Sequence, residues 1–383
     1  MESVKLDYRR RIFGYDSENY HVRGEIMELE NRARGLYSEN VTMEREDFAK
    51  MLLLDGCFIA VALGKMEGRA VENIPSEADL SQHEALNRHD IVHDLLLVEN
   101  QIPFFVLEKI HNLAGPIGET TEQFKKNIAK YVEHVLRHYP KAIEIPTICS
   151  EGFHHLLHLC HMFFRPSQKP VEHHCIQTMI QCFPCCDHSH QITNQWHRAR
   201  QYREAGVKFR VKGSSTPHSL LDVTFSNGTM KIPHLSIDAK TESIFSNLIV
   251  FERGYPRAGN YINAYVTFMS QLLGTADDVE LLVQKGIIDV TGGRYEEASN
   301  LFGRLNGLAV FDPHGEDYYL KSMLQSVEAH YLRRRNWWMA WLKHNHLTNP
   351  CVIIAALLGF ISLLCIMIQN FLSILKHFNV VHH

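Results

Sequence analysis

The sequence has little imbalance of charge: 39 Lys and Arg stand against 43 Asp and Glu in 383 residues, a net charge of −4. Without a basic excess there is no global field to hold nucleic acid, so no nucleic-acid partner is expected. Glycine (22) and proline (13) are too scarce for a collagen-like or low-complexity chain. The nine cysteines are an odd set without regular spacing, so no disulfide framework is read from them. Met1 to Asp7 contain no apolar core of an export signal, and a reducing, cytosolic environment is expected for the body. Catalytic signatures are missing as well. There is no GxSxG, no Walker-type phosphate loop, no GxGxxG after a strand, no HExxH and no kinase set.

What is present is globular usage, 45% hydrophobic and 21% charged, with an unusual 25 histidines. The longest apolar run, Cys351 to Ile368, carries one polar side chain, Ser362, and no charge. At about 1.5 Å per residue it spans roughly 27 Å, close to the hydrocarbon thickness of a bilayer. Trp337, Trp338 and Trp341 precede it, together with Arg333, Arg334, Arg335 and Lys343, whereas only Lys376 follows. The expectation is a single-pass, tail-anchored membrane protein with its body in the cytosol and the lipid bilayer as one partner.

Upstream of that run the periodicity is mostly helical. Helices are expected over residues 25–37, after Thr42 to Gly64, over 124–139, 152–164, 260–273, 294–305 and from about 316 to 343. In the stretch 94–110, Pro103 predicts a bend between two helices. Glu99, Asn100 and Gln101 are there to satisfy the exposed backbone groups, the alternative being a polar site. Two β-rich runs, 220–225 and 229–233, flank Asn227-Gly228, the strongest short signal for a hairpin with a type I′ turn. Thr275 with Asp278 three residues later reads as a capping box, and Gly286 closes the helix it opens. The fold class expected is mainly α, a helical body with a small β-hairpin element and one C-terminal transmembrane helix. The divisions are an N-terminal helical half (1–164), a His/Cys-rich linker (165–198), a second helical half with the hairpin (199–348), the anchor (350–375) and a short tail (376–383).

Two clusters carry candidate metal chemistry. In the linker, Cys182-Phe183-Pro184-Cys185 followed by His188 and His190 offers two thiolates and two imidazoles, a tetrahedral set for Zn²⁺. His173 or Cys175 are alternative members, and a solvated loop with incidental Cys and His is the competing reading. His154, His158 and His161 recur at helical spacing and so are expected to share one face, with His155 beside them, and two of them could bind a metal. Metal binding and plain packing both fit that pattern. Glu99, beside apolar Leu95–Val98, is the best single carboxylate for a catalytic guess, on the expectation that burial raises its pKa.

Several strings then point the same way. DLLLVENQIPFFVLEKI (94–110), FAKMLLLDGCFI (48–59), REAGVKF (203–209), SLLDVTFSNGTMKIPHL (219–235), TESIFSNLIVFE (241–252), YVTFMSQLL (265–273) and DDVELLVQKGII (277–288) occur in one order. Together they resemble the plant family called domain of unknown function 247, from about residue 25 to the end. The resemblance implies a mainly helical, membrane-anchored plant protein with no established catalytic residues, and some grass members act in pollen–stigma self-incompatibility. The function expected is a non-enzymatic recognition or signalling protein that acts through an unidentified protein partner. The alternative is a membrane-bound enzyme of unrecognised type, perhaps metal-dependent.

Overall fold

A computed structural model describes residues 2–14, 19–37, 41–64, 93–115, 118–167, 196–213, 217–310, 318–332 and 358–370. The helices of the first half are α1 (Glu2–Phe13), α2 (Asn19–Arg34), α3 (Arg45–Gly64), α4 (Phe104–Ala114), α5 (Thr121–Val135), α6 (Ile145–Glu151) and α7 (Leu156–Phe164). The second half holds α8 (Ala199–Glu204), β1 (Lys208–Val211), β2 (Thr224–Ser226), β3 (Thr229–Ile232), β4 (Leu235–Ile237) and α9 (Thr241–Gly254). It continues with α10 (Tyr261–Leu272), α11 (Ala276–Gln284), β5 (Ile288–Val290), α12 (Tyr295–Leu308) and α13 (Lys321–Leu332). A last helix, α14, covers 358–370.

Local signals explain many boundaries. Thr120 accepts a hydrogen bond from the Gln123 amide and starts α5. The capping box of Thr275 and Asp278 is formed in both directions and starts α11. The helix expected over 152–164 starts later, because Gly152 takes φ +76° and ends α6, and α7 begins only at Leu156. The hairpin forms as expected: Asn227 and Gly228 have φ of +50° and +72°, and Ser226 faces Thr229 across the turn. The β content goes further than one hairpin. β1 joins β3 in parallel to give the order β1-β3-β2, and β4 pairs in parallel with β5.

The core runs through both halves. α3 lies against α1, α2 and α4, and α12 lies against α9, α10 and α11. The halves meet where Tyr139 packs on Phe164 and Phe245, with ring centroids 5.3 and 6.4 Å apart. Each fully buried Phe, Leu or Ile of this core contributes about 1.5–3 kcal/mol of transfer free energy. Cys57 and Cys160 sit within it, and burial pushes both thiols up.

The end of the chain corrects the expected anchor. Among the described residues, no helix is long and apolar enough to cross a membrane. Within the apolar run, residues 358–370 are described and helical. Neither the transmembrane helix at 350–375 nor the single-pass localisation that rested on it stands. The helix expected from about 316 starts at Lys321 and is described as far as Leu332, and the rest of its expected range to 343 lies outside the described residues. Cys365, within α14, is exposed.

Candidate functional site

Residues 94–103 fold as a turn of polar side chains bound to backbone, and α4 follows from Phe104. Asn100 donates from Nδ2 to the Asp94 carbonyl at 2.7 Å. Gln101 donates from Nε2 to the carbonyls of Leu95 and Leu97, at 2.9 and 2.6 Å. Its Oε1 accepts the Leu157 amide at 2.8 Å, which caps the start of α7. The Asn247 side chain on α9 accepts the Val98 amide at 2.8 Å, and the Tyr37 hydroxyl donates to the Gln101 carbonyl at 3.1 Å. One short turn is therefore tied to α2, α7 and α9. Asn100 and Gln101 take the backbone-satisfying role expected of them. Glu99 differs, because it is exposed, and the burial behind its choice as a catalytic carboxylate is missing.

On the outer side of this turn lies a cleft of about 380 Å³. Lys5 from α1, Tyr37 after α2, Asp55 and Phe58 from α3, and Asp94 and Glu99 from the turn all line it. Lys5 and Asp55 form an ion pair across the wall. Burial, with Asp55 adding to it, pushes the Tyr37 phenol up to about 12, so it remains a neutral donor. Asp94 and Glu99 have no cationic partner among the described residues. The cleft was missed by sequence reasoning because α1 was not read as a helix, and its wall brings together residues some 90 positions apart.

The histidines form a second cluster between α7 and α9. His161 Nε2 lies 2.8 Å from Glu252 Oε1, and both side chains are buried. Glu252 also accepts the amides of Ile262 and Asn263, at 2.9 and 3.0 Å, and the Asn263 side chain at 2.7 Å. A buried carboxylate thus caps the N-terminus of α10, where the helix dipole favours negative charge. His154 and His155 precede α7 rather than lying on it, so the shared face holds only His158 and His161. His158 packs against the Phe251 and Tyr255 rings. His158 Nδ1 accepts the His154 amide at 3.2 Å, which places its proton on Nε2. Burial depresses His155 to about 4 and His158 to about 3, and the neighbouring His154 pushes the same way. These rings are neutral packing groups at pH 7.

Among the described residues, no group of three or more His, Cys, Asp or Glu is arranged to hold a metal ion. Cys182, Cys185, His188 and His190, with His173 and Cys175, lie outside the described residues.

The turn before α4 and the hairpin at 224–232 fall within strings on which the family resemblance rests, 94–110 and 219–235. A family model described as a plant protein of unknown function, domain of unknown function 247, matches residues 1–365. The chain belongs to this family. It is also similar to a UPF0481 protein of Arabidopsis thaliana, 28% identical over 379 residues, covering 94% of this chain and 75% of that protein. No solved structure matches it.

Proposed function

We propose that the chain is a non-enzymatic recognition or signalling module that engages a protein partner, with the cleft beside the turn at 94–103 as its contact site. The observation that carries this reading is the division of labour in that turn. Asn100 and Gln101 are committed to backbone groups, whereas Asp94 and Glu99 face an open cleft. Exposed polar groups held on a rigid turn suit recognition. A half-open cleft with both polar and apolar walls suits side chains from another protein. Self-recognition between pollen and stigma, which the family resemblance brings in, is one setting for such a module.

The test is proximity labelling in plant cells with the wild-type chain and an Asp94→Lys, Glu99→Lys variant. The expected result is a set of proteins labelled by the wild type and lost with the variant, while its thermal unfolding is unchanged. Identical sets from the two versions remove the cleft from the function. A wild-type set no larger than that of an untargeted control overturns the reading.

A further inference from the structure

The outer face of the β1-β3-β2 sheet is basic in a way that folding does not require. Along β1, Phe209 is buried and Lys208 and Arg210 are exposed. Along β3, Met230 and Ile232 are buried and Lys231 is exposed. The parallel register sets Arg210 directly beside Lys231 and Lys208 beside Thr229. Thr224 lies on the other side of Lys231, and Ser226 beside Thr229. Like charges directly opposite each other on a sheet are destabilising. No carboxylate pairs with Lys208, Arg210 or Lys231 among the described residues. Lys212, two residues beyond Arg210, reaches the Asp222 carbonyl at 3.0 Å. Burial lowers the Lys212 ammonium below the ordinary lysine value, with Asp222 opposing and Lys231 adding to the depression, so these two cations sense each other. Asp222, which acts on Lys212, is buried and accepts the Ser167 and Ser219 amides at 2.9 and 2.8 Å.

Charged residues on edge strands often serve only to prevent aggregation. That accounts for Lys208 and Arg210, since β1 is an edge. It does not account for Lys231, which lies on the central strand of the sheet. β1 also has no strand on its other side among the described residues, and Val211 at its end is an exposed apolar side chain.

We propose that this face is a docking surface for an extended acidic segment of a partner protein, which adds alongside β1. An added strand repeats its side chains every two residues, about 6.6–6.8 Å. Carboxylates at alternate positions then stand opposite Lys208, Arg210 and Lys212, and an intervening apolar side chain meets Val211. The like-charge pair Arg210–Lys231 is relieved when the segment arrives. This inference rests on the reading of the chain as a protein-recognition module and names the chemistry of one partner surface.

The experiment measures binding of fluorescent synthetic peptides to the purified full chain by anisotropy. One peptide alternates Asp and Glu with Val, a second has the same composition with the acids consecutive, and a third replaces the acids with Ser. The expected result is saturable binding of the alternating peptide, at least about tenfold tighter than the other two. Arg210→Glu and Lys231→Glu each weaken it by at least about tenfold. Lys231→Thr guards against misfolding as an explanation: it weakens binding and at the same time raises the unfolding temperature, because it removes a like-charge neighbour. No saturable binding, or equal binding of the alternating and consecutive peptides, overturns the proposal. So does tighter, Arg210-dependent binding to anionic phospholipid vesicles than to the alternating peptide. Loss of the peptide result with the proximity-labelled set intact removes this face alone. An empty labelled set removes the recognition reading itself.

Discussion

The seam between α7 and α9 and the outer face of the small sheet treat charge in opposite ways. In the seam, Glu252 has every oxygen engaged, by His161, two amides and the Asn263 side chain. On the sheet, Lys208, Arg210 and Lys231 face solvent with like charge beside like charge. Burial explains the difference. A charge removed from water needs several partners to offset its desolvation, whereas an exposed charge loses little by having none. The contrast separates groups that hold the fold from groups free to meet another molecule.

The sharpest way to break that contrast is to remove the buried carboxylate. Glu252→Ala leaves a buried histidine and two helix amides without their acceptor, and is expected to cost about 3–5 kcal/mol in denaturant unfolding. A loss below about 1 kcal/mol shows that the seam does not depend on Glu252. Acid attacks the same region. His155 and His158 titrate below the ordinary histidine value of about 6.5 when folded, so the unfolded chain binds more protons as pH falls. Their contribution is complete above pH 6.5 and is lost on the way down towards pH 4 and 3. Between pH 6.5 and 5 each is expected to remove roughly 1.5 kcal/mol of unfolding free energy. Flat stability over that window contradicts the neutral, buried rings.

Gln101→Ala removes both carbonyl partners of the turn and the cap on α7, with an expected loss of about 2 kcal/mol. The corresponding Glu99→Lys change, two positions away, is expected to stay within about 0.5 kcal/mol in the same measurement, because Glu99 is exposed. The smallest effect, and the one with opposite sign, belongs to the sheet. Lys231→Thr is expected to stabilise by a few tenths of a kcal/mol, read as a small rise in unfolding midpoint. A destabilisation instead means that Lys231 has a structural role in the sheet.

Features whose cause lies within a few residues are legible in the amino-acid sequence. Asn227-Gly228 demands positive φ and so a tight turn, and Thr275 with Asp278 needs only its own first helical turn. Pro103 and the polar residues before it likewise declare a bend with satisfied backbone groups. The start of α7 is less legible: the helix expected from Gly152 begins only at Leu156, because Gly152 takes a positive φ. The parallel pairings of β1 with β3 and of β4 with β5 join strands whose partners lie far along the chain, and short apolar runs carry no label of their partner.

The same division holds for the site and the chain end. The sequence by itself determined that the chain bends at Pro103, that residues 351–368 are apolar and that the histidines of 154–161 are spaced to meet. Only the tertiary structure decided that Glu99 is exposed, that His161 meets Glu252, that no described helix is long and apolar enough to cross a membrane, and that Lys5 and Asp55 face the turn across a cleft. Composition and local spacing report what each residue prefers. Burial, partners and helix length are set by segments that arrive from elsewhere in the chain, and a run of side chains does not encode their arrival.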